Sequence, residues 1–482
     1  MIGPRQSLTA AQSALDEVRS QIRTAFPAYA GLADPRPVDL AATAQLLGPD
    51  EVLLLYASAP GDSADAPSGH VFAITADSYT VAPLPPRAEL ARIAQDLRCA
   101  AALTDRRCGL GGGATRGAFS LTAPDAATLP EFDFALARAA WDALFAPAGI
   151  ALDGKTSVII VPDRTLSAMP FHLALTEAPD ATTNLRSAPW LLRDMAVTVV
   201  PSVSSLAALR NRDLRPNAAD LPFLGVGDPL IGTQIGGPLP YDCGETDADL
   251  LLAQPLLPAG GPILRDGGTA DPVALSALPA LPDTRCELLQ NAAVLGPASR
   301  VVIQAEATER YVKDLSASGE LARFRILSFA THGLIAGELG AANAGLVLTP
   351  PLQPDAVDDG LLSVAEIAGL RIDADFVILS ACNTASGSSR SSEGLAGLAS
   401  AFFLAGARGV LVSHWPVYSD AATRLTTGMV AALDAPDRPG RAEALRRSVL
   451  RNLDDPASPP RPLHPAYWAP FLVVGDGRAG QG

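Results

Sequence analysis

The spacing of apolar residues changes along the 482-residue chain, and each change predicts a different element. Leu8, Ala11, Leu15, Val18, Ile22 and Ala25 recur at alternating steps of three and four, one apolar stripe on a helix that Phe26-Pro27 ends. Residues 1–30 are therefore read as an amphipathic helix that docks on its own domain or on a partner. From about residue 50 the pattern turns to strand, with VLLLYA at 52–57, HVFAIT at 70–75 and YTVAPL at 79–84, then a helical run near 87–105. The runs SVIIVPD at 157–163 and AVTVVPS at 196–202 read as buried strands, each ended by a proline turn. Residues 31–210 thus predict a smaller α/β half.

Past residue 210 buried strands alternate with helices: FLGVG at 223, RVVIQ at 300, RILSFA at 325, GLVLT at 345, FVILS at 376, RGVLVS at 408 and FLVVG at 471. Short β-branched runs alternating with helices are what a parallel, helix-covered sheet requires, so residues 211–476 form a second α/β half. The stretch 229–280 is rich in Gly, Pro and Asp with little period and reads as an insertion or surface loop. Repeats of 20–50 residues are not visible, which excludes a solenoid. RRCGLGGGATRGA from Arg106 follows a helix and lacks a G-K-[ST] ending, so it reads as a surface loop and not a phosphate cradle.

Composition narrows the class. With 36 basic against 51 acidic residues the net charge is −15, which argues against nucleic acid or an anionic membrane as a direct partner. The uncharged segment 394–407 falls short of the roughly 20 residues a membrane span needs, and reads as a buried helix. Cys99, Cys108, Cys243, Cys286 and Cys382 form no C-x-x-C pair and cannot all pair, so the expectation is a reducing cytoplasm.

In an open parallel sheet, chemistry sits just beyond the carboxyl ends of the strands. His332 follows the strand 325–330 in F-A-T-H-G, and Cys382 follows the strand 376–380 in L-S-A-C-N-T. A thiol nucleophile needs an imidazole to take its proton, because the thiolate is the reactive form. Gly333 offers a backbone N–H beside the histidine, and the N–H of Cys382 is a second donor to an oxyanion. The separation of 50 residues is that of the caspase pair, although either residue alone could be a buried structural thiol or a core histidine.

Several ordered motifs go further. F-A-T-H-G, D-G-L-L-S-V-A-E-I from Asp359, F-V-I-L-S-A-C-N-T from Phe376, E-G-L-A-G-L-A-S-A-F-F-L-A-G-A-R from Glu393, S-H-W-P-V from Ser413 and H-P-A-Y-W-A-P-F from His464 resemble the CHAT domain. Weaker matches, V-I-I-V-P-D from Val158, Met169-Pro170-Phe171 and G-D-P at 227–229, extend the resemblance over about 130–476. The family is caspase-like and distantly related to separase. The resemblance implies a caspase-like, mostly parallel sheet with helices on both faces, preceded by a pseudo-caspase-like half. It also implies a clan CD cysteine endopeptidase with His332 and Cys382 as its dyad, acting on a protein or peptide substrate and activated by a protein partner, without metal or cofactor. The segment after the strand 408–413 should wall the substrate groove through Ser413, His414, Trp415 and Pro416. Asp420 is the carboxylate that could take a basic side chain, unless it caps the helix beginning near Ala421. A catalytically silent scaffold and an amidase or acyltransferase acting on a small molecule are the competing readings.

Overall fold

The structure is a computed structural model, and it describes residues 37–58, 69–103, 129–213, 219–231, 269–276, 278–334, 344–380, 394–415 and 417–479, with Ser13, Leu15, Glu17, Gln21, Cys108 and Cys243 besides. Those first four residues are helical and exposed, Leu15 of the expected apolar stripe among them. The rest of that helix, the Gly-rich loop after Arg106 and most of the insertion lie outside the described residues.

Among these residues fourteen strands are seen: β1 (Glu51–Ala57), β2 (His70–Ile74), β3 (Tyr79–Pro83), β4 (Ser157–Val161), β5 (Ala196–Val199), β6 (Leu221–Pro229), β7 (Arg300–Gln304), β8 (Phe324–Ala330), β9 (Gly333–Leu334), β10 (Gly345–Val347), β11 (Leu361–Ser363), β12 (Phe376–Ser380), β13 (Gly409–Ser413) and β14 (Phe471–Gly475). The α-helices of six or more residues are α1 (Leu40–Leu46), α2 (Arg87–Ala101), α3 (Phe134–Leu144), α4 (Val203–Asp213), α5 (Asp283–Leu295), α6 (Glu309–Ser318), α7 (Val364–Gly369), α8 (Gly394–Ala405), α9 (Ser419–Leu433) and α10 (Arg441–Asp454).

Eleven strands form one sheet in the order β3-β2-β1-β4-β5-β14-β13-β12-β8-β6-β7, so both halves of the chain share it. The strand runs were legible because they are buried on both faces: every residue of β12, β13 and β14 is buried. Parallel pairing dominates, as expected. Two strands depart from the expectation. β14 runs antiparallel to β13 while pairing parallel with β5, which reverses the sheet's direction at that point. GLVLT supplies β10, which lies in a separate three-stranded sheet, β11-β10-β9, and not in the main one. The strands β9 and β11, two and three residues long, were too short to carry a period of their own.

Helices cover both faces. In parallel register Ser380 pairs with Ala330 and Ile378 with Ser328, so these side chains share a face. Ser380 hydrogen-bonds to Glu287 of α5 on that side. Phe329, of opposite parity, packs on Phe402 of α8, with ring centroids 5.6 Å apart. A buried ion cluster ties the halves together. Arg210 of α4 donates to both carboxylate oxygens of Glu51 in β1, at 2.9 and 2.6 Å, and to Asp476 just past β14, at 3.3 Å. Arg210→Leu leaves two buried carboxylates without this cation, and we expect a loss of about 3–5 kcal/mol of stability in urea unfolding. A loss below about 1 kcal/mol contradicts that role.

Four cysteines are bonded, Cys99 to Cys108 and Cys243 to Cys286. This departs from the expectation of reduced thiols throughout, and by elimination Cys382 is the one cysteine outside these pairs. Sequence spacing could not show the pairing, since neither pair forms a C-x-x-C motif. Protein prepared without reductant and then denatured should give one titratable thiol per chain, and five after reduction. Five before reduction would return all of them to the reduced state.

Candidate functional site

The register of the sheet aligns the two strands that precede the residues singled out by sequence. Ser380, the last residue of β12, pairs with Ala330, the last of β8. His332 lies two positions past Ala330, and Cys382 two positions past Ser380. Adjacent strands are about 4.8 Å apart, so β8 and β12 end side by side at one edge of the sheet. Cys382 itself lies outside the described residues, as does Pro416. β13 neighbours β12 and ends at Ser413 on the same edge.

His332 is held from both sides. Its carbonyl accepts the N–H of Val347, and the Thr331 hydroxyl donates to the Val347 carbonyl. Gly333, the expected oxyanion donor, opens β9 and pairs with Leu346. The small sheet therefore clamps the turn that follows β8. The imidazole is 1% exposed, and its Nε2 lies 2.8 Å from the carbonyl oxygen of Pro279. A carbonyl only accepts, so Nε2 carries the hydrogen and Nδ1 of the neutral ring keeps a bare lone pair. Nδ1 is buried with no hydrogen-bond partner. Burial pushes the imidazole down to about 4, with the Pro279 carbonyl opposing, so the ring is neutral at pH 7. Pro279 was invisible as a site residue because it acts through its backbone, and no side-chain pattern encodes that.

The expected groove wall is more enclosed than a sequence can reveal. Ser413, His414 and Trp415 are all buried. The His414 N–H donates to Pro470, its carbonyl accepts from Arg98 of α2 at 3.0 Å, and the Arg98 guanidinium lies 5.8 Å from the Trp415 ring. The N-terminal half thus supports this wall. Asp420 is not the cap of its helix: α9 begins at Ser419 with Tyr418 as N-cap, and no side chain caps it. Burial raises the Asp420 carboxyl, while Arg461 and Arg424 pull it down. In the same stretch of sequence, Trp415 Nε1, the Tyr418 and Ser419 hydroxyls and Asp420 Oδ1 are buried without hydrogen-bond partners. His464 serves as an N-cap, accepting from Ala466 through Nδ1, in keeping with a packing role. Among the described residues no cluster of His, Cys, Asp or Glu is arranged to hold a metal.

The described residues define an α/β protein built on a large, mostly parallel sheet flanked by helices. The chain belongs to the CHAT domain family, whose model matches residues 135–476. Among solved structures it is similar to the Arg-specific cysteine proteinase gingipain R, with 9% identity and a TM-score of 0.37 over 72% of this chain and 67% of that one. It is also similar to a chain of the Saccharomyces cerevisiae separase–securin complex, with 11% identity and a TM-score of 0.47 over 95% of this chain. The matched part is 31% of that separase-complex chain, so this protein spans less than a third of it. No curated protein matches. No single helix among the described residues is long and apolar enough to cross a membrane.

Proposed function

We propose that the protein is a cysteine endopeptidase in which Cys382 attacks a peptide carbonyl and His332 moves the proton. The observation that carries this reading is the imidazole itself: Nε2 is committed to the Pro279 carbonyl, and Nδ1 is left as an unpartnered base at the sheet edge where β12 ends, two residues before Cys382 in sequence. The neutral ring accepts the thiol proton, the thiolate forms the acyl-enzyme, and the imidazolium returns the proton to the leaving amine. Water then hydrolyses the thioester. The N–H groups of Gly333 and Cys382 are assigned to the developing oxyanion. None of these steps calls on a metal or organic cofactor.

The four orphaned polar atoms at Trp415, Tyr418, Ser419 and Asp420 support a specificity pocket there, with Asp420 receiving a basic side chain. Asp420→Asn should then lower cleavage after Arg or Lys relative to other residues, and an unchanged ratio removes Asp420 from the pocket. His332 is nearly fully buried, so a substrate reaches Nδ1 only after neighbouring chain moves, and we assign that opening to a protein partner. A cytoplasmic site of action belongs to the same reading and requires the two disulfides to be reduced there, which the thiol count decides. Labelling with an electrophilic peptide tests the function. An adduct on Cys382 that depends on His332 supports the enzyme, and an unreactive thiol in a folded chain leaves a silent scaffold.

A further inference from the structure

Helix α5 buries polar residues alongside Leu288 and Cys286 while part of its apolar surface faces outward. Leu289 and Val294 are 44% and 37% exposed, while Glu287 and Asn291, one turn apart, are buried at 1% and 0%. Helices packed on a sheet ordinarily bury the apolar pair and expose the polar one. A carboxyl group is costly to bury unless it is bonded, so its position needs a cause.

The carboxyl is held at both ends. The Ser380 hydroxyl donates to Glu287 Oε2 at 2.7 Å, and Thr426 Oγ1 lies 3.1 Å from Oε1. Ser380 closes β12 two residues before Cys382, and Thr426 belongs to α9, so one side chain joins three elements at the root of the nucleophile segment. The Thr426 hydroxyl has a single proton and a nearer acceptor, the Ala422 carbonyl at 2.9 Å. When that proton goes to Ala422, the contact with Oε1 needs a proton from Glu287 itself, and a protonated carboxyl satisfies all three groups. Burial pushes this carboxyl up to about 7, the two hydroxyls oppose the shift, and Asp283, one turn earlier on α5, adds to it. The polar seam continues along the helix. Both polar atoms of the Asn291 side chain and the Ser328 hydroxyl are buried without partners, and Ser328 faces the same side of the sheet as Ser380.

We propose that Glu287 is a positioning residue for the segment that carries Cys382, tying the end of β12 to α5 and α9 through its two hydroxyl contacts. The proposal rests on the peptidase reading for its purpose, but its test needs no turnover. In the full chain, hydrogen exchange at the β12 amides and the rate of Cys382 alkylation by iodoacetamide are measured by mass spectrometry. Glu287→Leu and Ser380→Ala should speed exchange at the end of β12 at least tenfold and change the alkylation rate at least threefold. Glu287→Gln keeps the shape and both bonds, and should stay within twofold of wild type in both. Wild-type behaviour of Ser380→Ala and Glu287→Leu overturns the proposal, and so does a Glu287→Gln variant as disturbed as Glu287→Leu. Should Glu287→Leu fail to fold by circular dichroism, Ser380→Ala and Glu287→Gln decide the matter. Absence of peptide cleavage by the wild type would instead count against the peptidase reading and leave these two readouts intact.

Discussion

Replacing His332 by Ala should lower kcat/KM for peptide cleavage by about 10²–10⁴-fold, the range expected when a positioned proton-transfer group is removed. The loss has a definite source. With Nε2–H fixed on the Pro279 carbonyl, Nδ1 is the ring's basic atom, and in its absence a thiol of ordinary pKa near 8.5 is only a few per cent thiolate at pH 7. The activity left in the variant should therefore climb as pH rises toward about 8.5. In the wild type the acid limb of the pH profile should lie low, because burial lowers the imidazole to about 4 and the ring stays a free base down to that pH. Activity is lost as pH falls through that value. The same shift acts on stability: between the unfolded value near 6.5 and about 4, the unfolded chain binds a proton at this site and the folded chain does not, so His332 contributes stability above that window that is lost as pH falls through it. A decline of less than tenfold in the variant, measured as kcat/KM against pH, contradicts the role of His332.

The second large effect concerns α8, which lies after Cys382 in the sequence. Ala401 is 1% exposed in α8, and its neighbours Leu398, Phe402 and Phe403 are buried as well. Phe402 packs on Phe329 in β8, the strand that ends just before His332. A carboxylate at position 401 is taken out of water among apolar side chains, at a cost of several kcal/mol, comparable with the whole stability of a domain. Ala401→Asp should therefore accumulate as insoluble or unfolded protein. A soluble variant whose melting temperature lies within about 1–2 °C of wild type, equivalent to about 1 kcal/mol for a unit of this size, contradicts the buried placement of α8.

Much of this was legible before the structure. Runs such as FVILS and SVIIV announce strands buried on both faces, and the uncharged 394–407 segment announces a helix packed nearly all round. The direction of β14 was not legible, because FLVVG reads the same whether its neighbours run with it or against it. Nor was the small sheet around His332, whose strands are two or three residues long. The histidine stood out by its place after a strand, yet the group that orients it is a backbone carbonyl and leaves no trace in residue identity. Asp420 looked like an N-cap because it precedes A-A-T-R-L, but the helix starts one residue earlier, with Tyr418 as N-cap and no side chain capping it. Glu287 did leave a trace: in T-R-C-E-L-L-Q-N-A-A-V-L the polar positions 284, 287 and 291 repeat at helical spacing, a stripe usually taken for the solvent face.

The central claim is that Cys382 is a nucleophile armed by His332. An electrophilic peptide ending in a basic residue, incubated with the full chain and with candidate partners, is followed by intact mass and by sequencing of the modified fragment. We expect one adduct per chain, on Cys382, absent in Cys382→Ala and slowed at least a hundredfold in His332→Ala, with both variants folded as the wild type is. Equal labelling of the wild type and His332→Ala, or a folded wild type that takes no label at Cys382 under any condition, would contradict the account.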